Sequence, residues 1–200
     1  MWIYWQGPKI PPKYADALYA LSPVAVDDSV TDLAGVSTHV LANRDGASCA
    51  KGFSRALVPT SLDTYSLPAL RKVLDIFTSL PPQFRTSAMM MEGYATNRVH
   101  EIESDTSAFP DRYAQVLCSP VLTYPNNASL DATAWEIGGR IRSALLEGTD
   151  AKLEAYVNYA RGDESMEEIY GYEPWRLEKL RRLKKEYDPH GRFNFYAPIF

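Results

Sequence analysis

The stretch from Ala155 to the terminal Phe200 limits what this chain can become more than any other, because it dictates an order of elements as well as a composition. Ala155 to Ala160 is a short apolar run that reads as a strand. An acidic loop follows, then a basic amphipathic helix, then a closing aromatic strand that ends in Ile199 and Phe200. The helix starts at Pro174, since a proline in the first turn gives up an N–H that had no partner there anyway. Leu177, Leu180, Leu183 and Tyr187 recur at steps of three and four and so share one face, with Arg181, Arg182, Lys184 and Lys185 elsewhere on the cylinder. Asp188-Pro189 ends it, because the residue before a proline is driven out of the helical region.

Upstream, the same reasoning alternates helices with strands. Pro11-Pro12 introduces a helix over 13–21, with Tyr14, Leu18 and Leu21 on one side. Residues 2–5 and the alternating Val36, Thr38 and Val40 of 35–42 read as strands. The Asn43-Arg44-Asp45-Gly46 turn makes 52–59 the second arm of a hairpin. Ser66 caps a helix to about Phe77 that presents Leu67, Leu70, Leu74 and Phe77, and Asp131 caps another through Leu146 with Ala134, Ile137, Ile141 and Leu145 inward. Thr86 to Met91, 93–99 and Tyr113 to Tyr124 supply further strands, the three methionines best explained by packing on both faces. Strands able to pair as hairpins, interleaved with helices, predict an α+β fold: a largely antiparallel sheet with helices covering one face, followed by a C-terminal strand-helix-strand segment.

Bulk properties remove several functions. With 46% hydrophobic and 23% charged residues the chain is globular, and no apolar stretch approaches the roughly 18 residues of a membrane span. A soluble protein with no membrane partner is expected. The formal charge of −4, with the basic run confined to one helix, argues against nucleic acid. Cys49 and Cys118 are far apart in sequence, which leaves their pairing open, and His39, His100 and His190 have no ligand spacing, so no metal is expected. Met1-Trp2-Ile3-Tyr4-Trp5 lacks the basic region and apolar core of a signal peptide, and the compartment is unassigned. Asn127-Ala128-Ser129 matches a glycosylation triplet but reads as a surface turn.

The linear order of the C-terminal elements carries a family likeness. Tyr156-Val157-Asn158-Tyr159, then Tyr170-Gly171 with Arg176-Leu177 five residues on, Leu183-Lys184, and Tyr187-Asp188-Pro189 with Phe193, resembles the end of the berberine-bridge-enzyme-like flavoproteins, FAD-linked oxidases of the vanillyl-alcohol-oxidase superfamily. Gly93-Tyr94-Ala95 and Thr106-Ser107-Ala108-Phe109-Pro110-Asp111-Arg112 resemble that family's substrate domain. Tyr94 stands where a second glycine is usual, and Asp111 where a histidine is.

The resemblance implies a substrate-binding domain over residues 1–150 and, over 151–200, a segment that packs on an FAD domain. That domain is not in this sequence, nor is any Gly-x-Gly-x-x-Gly or Walker loop. It implies Tyr159 and Tyr156 as catalytic residues, Asn158 as a cofactor contact, FAD as cofactor though not bound by this chain alone, and a small organic or secondary-metabolite substrate. A separate flavin-domain chain is the implied partner. The alternatives are a flavin-independent binding protein or cyclase that keeps the pocket, and an inactive fragment. A phenol is a poor base near neutral pH unless positive charge or hydrogen bonding favours its anion. Strand alternation would also put Tyr156 and Tyr159 on opposite faces unless the strand is broken. Arg112 and Arg176 read as structural ion-pair partners.

Overall fold

The computed structural model describes every residue from Met1 to Phe200, in two compact units, Met1–Lys51 and Gly52–Phe200. The first unit holds α1 (Pro12–Tyr19), with proline in its first turn as expected, and α2 (Leu33–His39). The second helix replaces the strand predicted for 35–42. The Asp32 carboxylate accepts the Gly35 N–H at 2.8 Å and caps a helix, overriding the alternation of Val36, Thr38 and Val40. Residues 2–5 form no strand either, and Trp5 packs its ring 5.5 Å from Tyr14.

The second unit runs β1 (Phe53–Leu57), β2 (Thr60–Leu62), α3 (Leu67–Thr78), β3 (Ala88–Gly93), α4 (Asn97–His100), β4 (Val116–Pro125), α5 (Asp131–Leu146), α6 (Met166–Tyr170) and α7 (Pro174–Tyr187). All its strand pairs are antiparallel and all involve β4. Cys118 faces both Thr60 and Met91, and Val121 faces both Leu57 and Ala88, so β1 and β2 lie along one edge of β4 and β3 along the other. The hairpin expected from the Asn43–Gly46 turn is therefore absent, and β1 pairs with β4 instead. Leu57 opposite Val121 and Thr60 opposite Cys118 keep a single register, which sets Val58-Pro59 against Ser119-Pro120. Neither proline has an N–H to give, and the ladder opens there.

Alternation along β4 sorts the two faces of the sheet. Val116, Cys118, Leu122 and Tyr124 are buried on one side with Ala56 and Leu62, under Val73 of α3 and Ile137, Ile141 and Leu145 of α5. Each of these larger side chains contributes about 1.5–3 kcal/mol on burial. Helix α5 rides close to the sheet at Gly138, where an added Cβ would stand 2.4 Å from Val58 Cγ2. Helix α3 turns differently from the predicted face: Ala69 and Val73 are buried, while Leu67 and Leu74 are exposed. Met89 and Met91 pack against the core; Met90, between them, lies half-buried on the opposite face, as does Glu92.

The architecture is α+β with an antiparallel sheet, as expected, but the C-terminal segment contains no strands. Its backbone is satisfied before it could pair. Ser61 N donates to Glu154 O at 2.9 Å, Ala155 N donates to Glu168 O at 2.8 Å, and the Tyr172 hydroxyl donates to Leu153 O at 2.8 Å. Residues 157–159 then close one 3-10 turn, Tyr159 N donating to Tyr156 O at 2.9 Å. After α7 the tail is held by side chains in place of a ladder. The Asp188 carboxylate accepts from Arg192 N at 2.7 Å and Phe193 N at 3.0 Å, and the Lys184 ammonium beside it holds its carboxyl down to about 2. Tyr170 donates to Ala197 O at 2.5 Å. No helix is long and apolar enough to cross a membrane.

Candidate functional site

The 3-10 turn resolves the conflict between alternation and convergence. Three residues per turn put positions i and i+3 in line, so Tyr156 and Tyr159 stand together, ring centroids 5.2 Å apart and edge to face at 85°. Asn158 is exposed between them and donates from Nδ2 to the Tyr156 hydroxyl at 2.7 Å. The turn is clamped from outside by Tyr196, whose hydroxyl lies 2.5 Å from Val157 O and 2.9 Å from Ala160 O. All three residues that the sequence singles out are thus brought to one place.

Their key partner is one that sequence reasoning missed. Glu92, at the end of β3 and opposite Leu117, accepts the Tyr159 hydroxyl on Oε1 at 3.1 Å and the Tyr94 hydroxyl on Oε2. Burial raises the Tyr159 phenol to about 12, and the Glu92 charge, its hydrogen bond and Tyr156 add to the effect. Tyr94 is pushed far above its ordinary value by burial and then by the same carboxylate. The Cys118 thiol rises to about 12, again by burial first and Glu92 second. The environment of Tyr159 therefore opposes the phenolate. At neutral pH Tyr159 is a neutral phenol that donates its hydrogen bond to Glu92 Oε1. A lone acid closing the apolar Met89-Met90-Met91 strand was the one available sign of this, since a charge within such a run needs a reason.

The loop before β4 completes the surroundings. Phe109 meets Tyr156 edge-on at 6.4 Å. Arg112, 5% exposed, donates to the carbonyls of Val99 and Ile102, and Arg176, 1% exposed, donates to Ser104 Oγ and Ser107 O at 2.9 Å each and pairs with Glu173 at 3.2 Å. Both arginines are structural; Arg176 makes the expected ion pair, whereas Arg112 donates to two backbone carbonyls instead. Arg176 fastens the 104–107 loop to α7, and Gly171 makes room for it: at φ 96°, an added Cβ would stand 2.6 Å from Glu173 Oε2 and 3.0 Å from Pro110 Cβ. Asp111 is pushed up to about 6 by burial, although Arg176 pulls the other way, and Glu154 is pushed up to about 7 by burial and by Asp111, Asp63 and Glu173. The tyrosine cluster forms an open face. Two surface hollows, ≈ 610 Å³ beside Trp175 and ≈ 890 Å³ between α3 and α5, lie elsewhere.

Comparison with known proteins gives the chain's family and fold. Residues 155–199 match the family model described as berberine and berberine like. The FAD-linked oxidoreductase anuG of Penicillium roqueforti is 42% identical over 159 residues, covering 78% of this chain and 31% of that protein. The FAD-linked oxidoreductase chyH of Penicillium rubens is 37% identical over 198 residues, covering 93% of this chain and 38% of that one. The chain thus spans about a third of the length of these relatives. Among solved structures, a chitooligosaccharide oxidase superposes with a TM-score of 0.65 at 16% identity over 89% of this chain and 40% of its own. A variant of berberine bridge enzyme does so with 0.60 at 16% identity over 84% and 37%. At those identities the likeness is one of fold.

Proposed function

This chain is a berberine-bridge-enzyme-like C-terminal part, and from that premise we propose that it forms the substrate side of an FAD-linked oxidoreductase acting on a small organic molecule. Residues 1–150 supply the substrate domain and 151–200 the segment that meets an FAD domain on another part of the protein or on a separate chain. The observation that carries the reading is the Tyr159–Glu92 hydrogen bond, formed between a residue of the family-matched segment and a sheet residue 67 positions away.

The residues present suit the edge of a flavin and not its phosphates. Asn158 offers an exposed carboxamide next to an aromatic ring, the kind of group that hydrogen-bonds the amide edge of an isoalloxazine, whereas the chain has no glycine loop for a diphosphate. FAD, when bound, supplies the two-electron acceptor. What the chain itself contributes is proton handling. Tyr159 receives the proton of the substrate group undergoing oxidation while passing its own hydroxyl proton to Glu92 Oε1, so no free phenolate is needed. Tyr94 stays bonded to Oε2 and holds the acceptor in place. Tyr156, oriented by Asn158, packs its ring against Tyr159 and fixes its direction.

The test is co-expression with the flavin domain of a relative, followed by turnover with O2. Wild type is expected to oxidise substrate, and Tyr159→Phe to lower kcat by roughly 10²-fold or more, the usual scale for a lost acid–base group. Full activity in Tyr159→Phe would remove this residue from the chemistry. Turnover in a flavin-free preparation would favour the binding-protein or cyclase alternative.

A further inference from the structure

We infer that Tyr196 is a positioning residue: reaching back from the C-terminal tail, its hydroxyl fixes the 157–160 turn and, through it, the place of the Tyr159 phenol opposite Glu92. The inference rests on the reading of Tyr159 as the proton-handling residue, and it gives the tail after α7 a part in that site.

The turn needs an outside support. A single 3-10 turn has poorer hydrogen-bond geometry than an α-helix, is too short to hold itself, and leaves its end carbonyls in want of donors. Within the turn Val157 O receives a bond of 3.3 Å from Ala160 N. The Tyr196 hydroxyl, 39 and 36 positions away, adds a donor shared between Val157 O at 2.5 Å and Ala160 O at 2.9 Å. These two carbonyls flank Tyr159 in the sequence. A turn that slackens there swings the phenol away from a carboxylate that it meets at 3.1 Å and that β3 holds in register on β4.

Tyr196 is itself delivered by a fixed backbone. Before it, Phe193 N donates to Asp188 Oδ2 at 3.0 Å and Phe193 O accepts from Lys184 Nζ at 3.1 Å. After it, Ala197 O accepts from the Tyr170 hydroxyl at 2.5 Å and Phe200 O from Arg181 Nε at 2.7 Å. Between these anchors Ala197 adopts φ 41°, left-handed backbone that is unfavourable for a residue with a Cβ and persists where the surroundings over-determine it. Burial does not account for the arrangement. Tyr196 is 55% exposed and its neighbours Phe193 and Phe195 are 78% and 97% exposed, so the tail hides little aromatic surface. What it brings to the turn is one hydroxyl.

The experiment compares amide hydrogen exchange at neutral pH, read by NMR, in the whole chain and its variants. Tyr196→Phe deletes the hydroxyl and keeps the ring. It should speed exchange at Tyr159 N and Ala160 N by about 2–12-fold, the factor that corresponds to one net hydrogen bond, and leave the amides of β4 unchanged. Asp188→Ala, which frees the tail at its start, should reproduce the pattern, and it decides the matter if Tyr196→Phe does not fold. Tyr172→Phe deletes a similar hydroxyl-to-carbonyl bond, at Leu153 and outside the turn, and should leave Tyr159 N unchanged. Uniform acceleration along the chain, or unchanged exchange at Tyr159 N, overturns the inference. With a flavin domain supplied, Tyr196→Phe should lower kcat by about tenfold and should have no further effect in a Tyr159→Phe background. Equal losses in the two backgrounds overturn the inference as well. Absence of turnover would sink the oxidase reading and leave the exchange result standing, so the two failures are separable.

Discussion

Replacing Glu92 by Gln keeps two acceptor or donor positions at the end of β3 and removes only the charge, which makes it the sharpest probe of the tyrosine cluster. The Tyr159 phenol is pushed up to about 12 by burial first, then by the charge of Glu92 and its hydrogen bond. The substitution leaves the burial in place, so the midpoint should fall by about one pH unit and not return to the ordinary value near 10. At a fixed alkaline pH this is a roughly tenfold larger phenolate fraction. Tyr94 bonds the other oxygen and should move in the same direction. The assay is ¹³C-tyrosine NMR from about pH 9 to about pH 13, which spans both midpoints, with Tyr159→Phe used to assign the resonance. An unchanged midpoint would mean that burial alone sets the ionisation of Tyr159 and that the carboxylate is not its proton partner.

Other outcomes follow from packing and charge. Arg176→Ala should cost about 2–4 kcal/mol by stripping Ser104 Oγ and Ser107 O of a buried charged donor, seen as a Tm lower by roughly 4–16 °C; Arg176→Lys, which keeps charge but not the planar fork, should recover only part of it. Gly138→Ala should destabilise by about 1–3 kcal/mol in urea unfolding because its methyl would collide with Val58, whereas Gly139→Ala, with open space around its Cβ, should stabilise by up to about 1 kcal/mol. Asp111 and Glu154 are harder to ionise folded than unfolded, so their contribution to stability is complete below about pH 4 and is lost as pH rises through about 6 and about 7 respectively. Denaturation midpoints should therefore decline across that window, and the Asp111→Asn, Glu154→Gln double variant should flatten the decline.

The long helices were legible because their signals are local. Ser66 with Pro68, the i, i+3, i+4 spacing in 131–146, and Pro174 with Asp188-Pro189 each fix an element from within a few residues. The misreadings share a cause as well. Val36, Thr38 and Val40 alternate like a strand, but one side chain at Asp32 decides otherwise, and 155–160 loses its strand to a partner at Glu168 and to a turn of its own that its composition does not announce. For the site, the order of tyrosines around Asn158 was readable, and the acid that sets their chemistry was not. Glu92 reaches Tyr159 only through the register of β3 on β4 and the docking of the C-terminal segment, neither of which is encoded near either residue.

The gap opposite Pro59 and Pro120 gives β3 a second duty. On one side of β4 the hydrogen bonds stop at Leu57 and resume at Thr60; on the other, β3 runs without interruption from opposite Val121 to opposite Val116 and bridges the missing rungs. The strand that splints this fault line is also the one whose last side chains are Glu92 and, just beyond it, Tyr94. Anything that loosens β3 from the sheet, whether an edge substitution or strain at the seam, will displace the carboxylate from Tyr159 in the same movement, so mechanical integrity and the Tyr159–Glu92 hydrogen bond share one support.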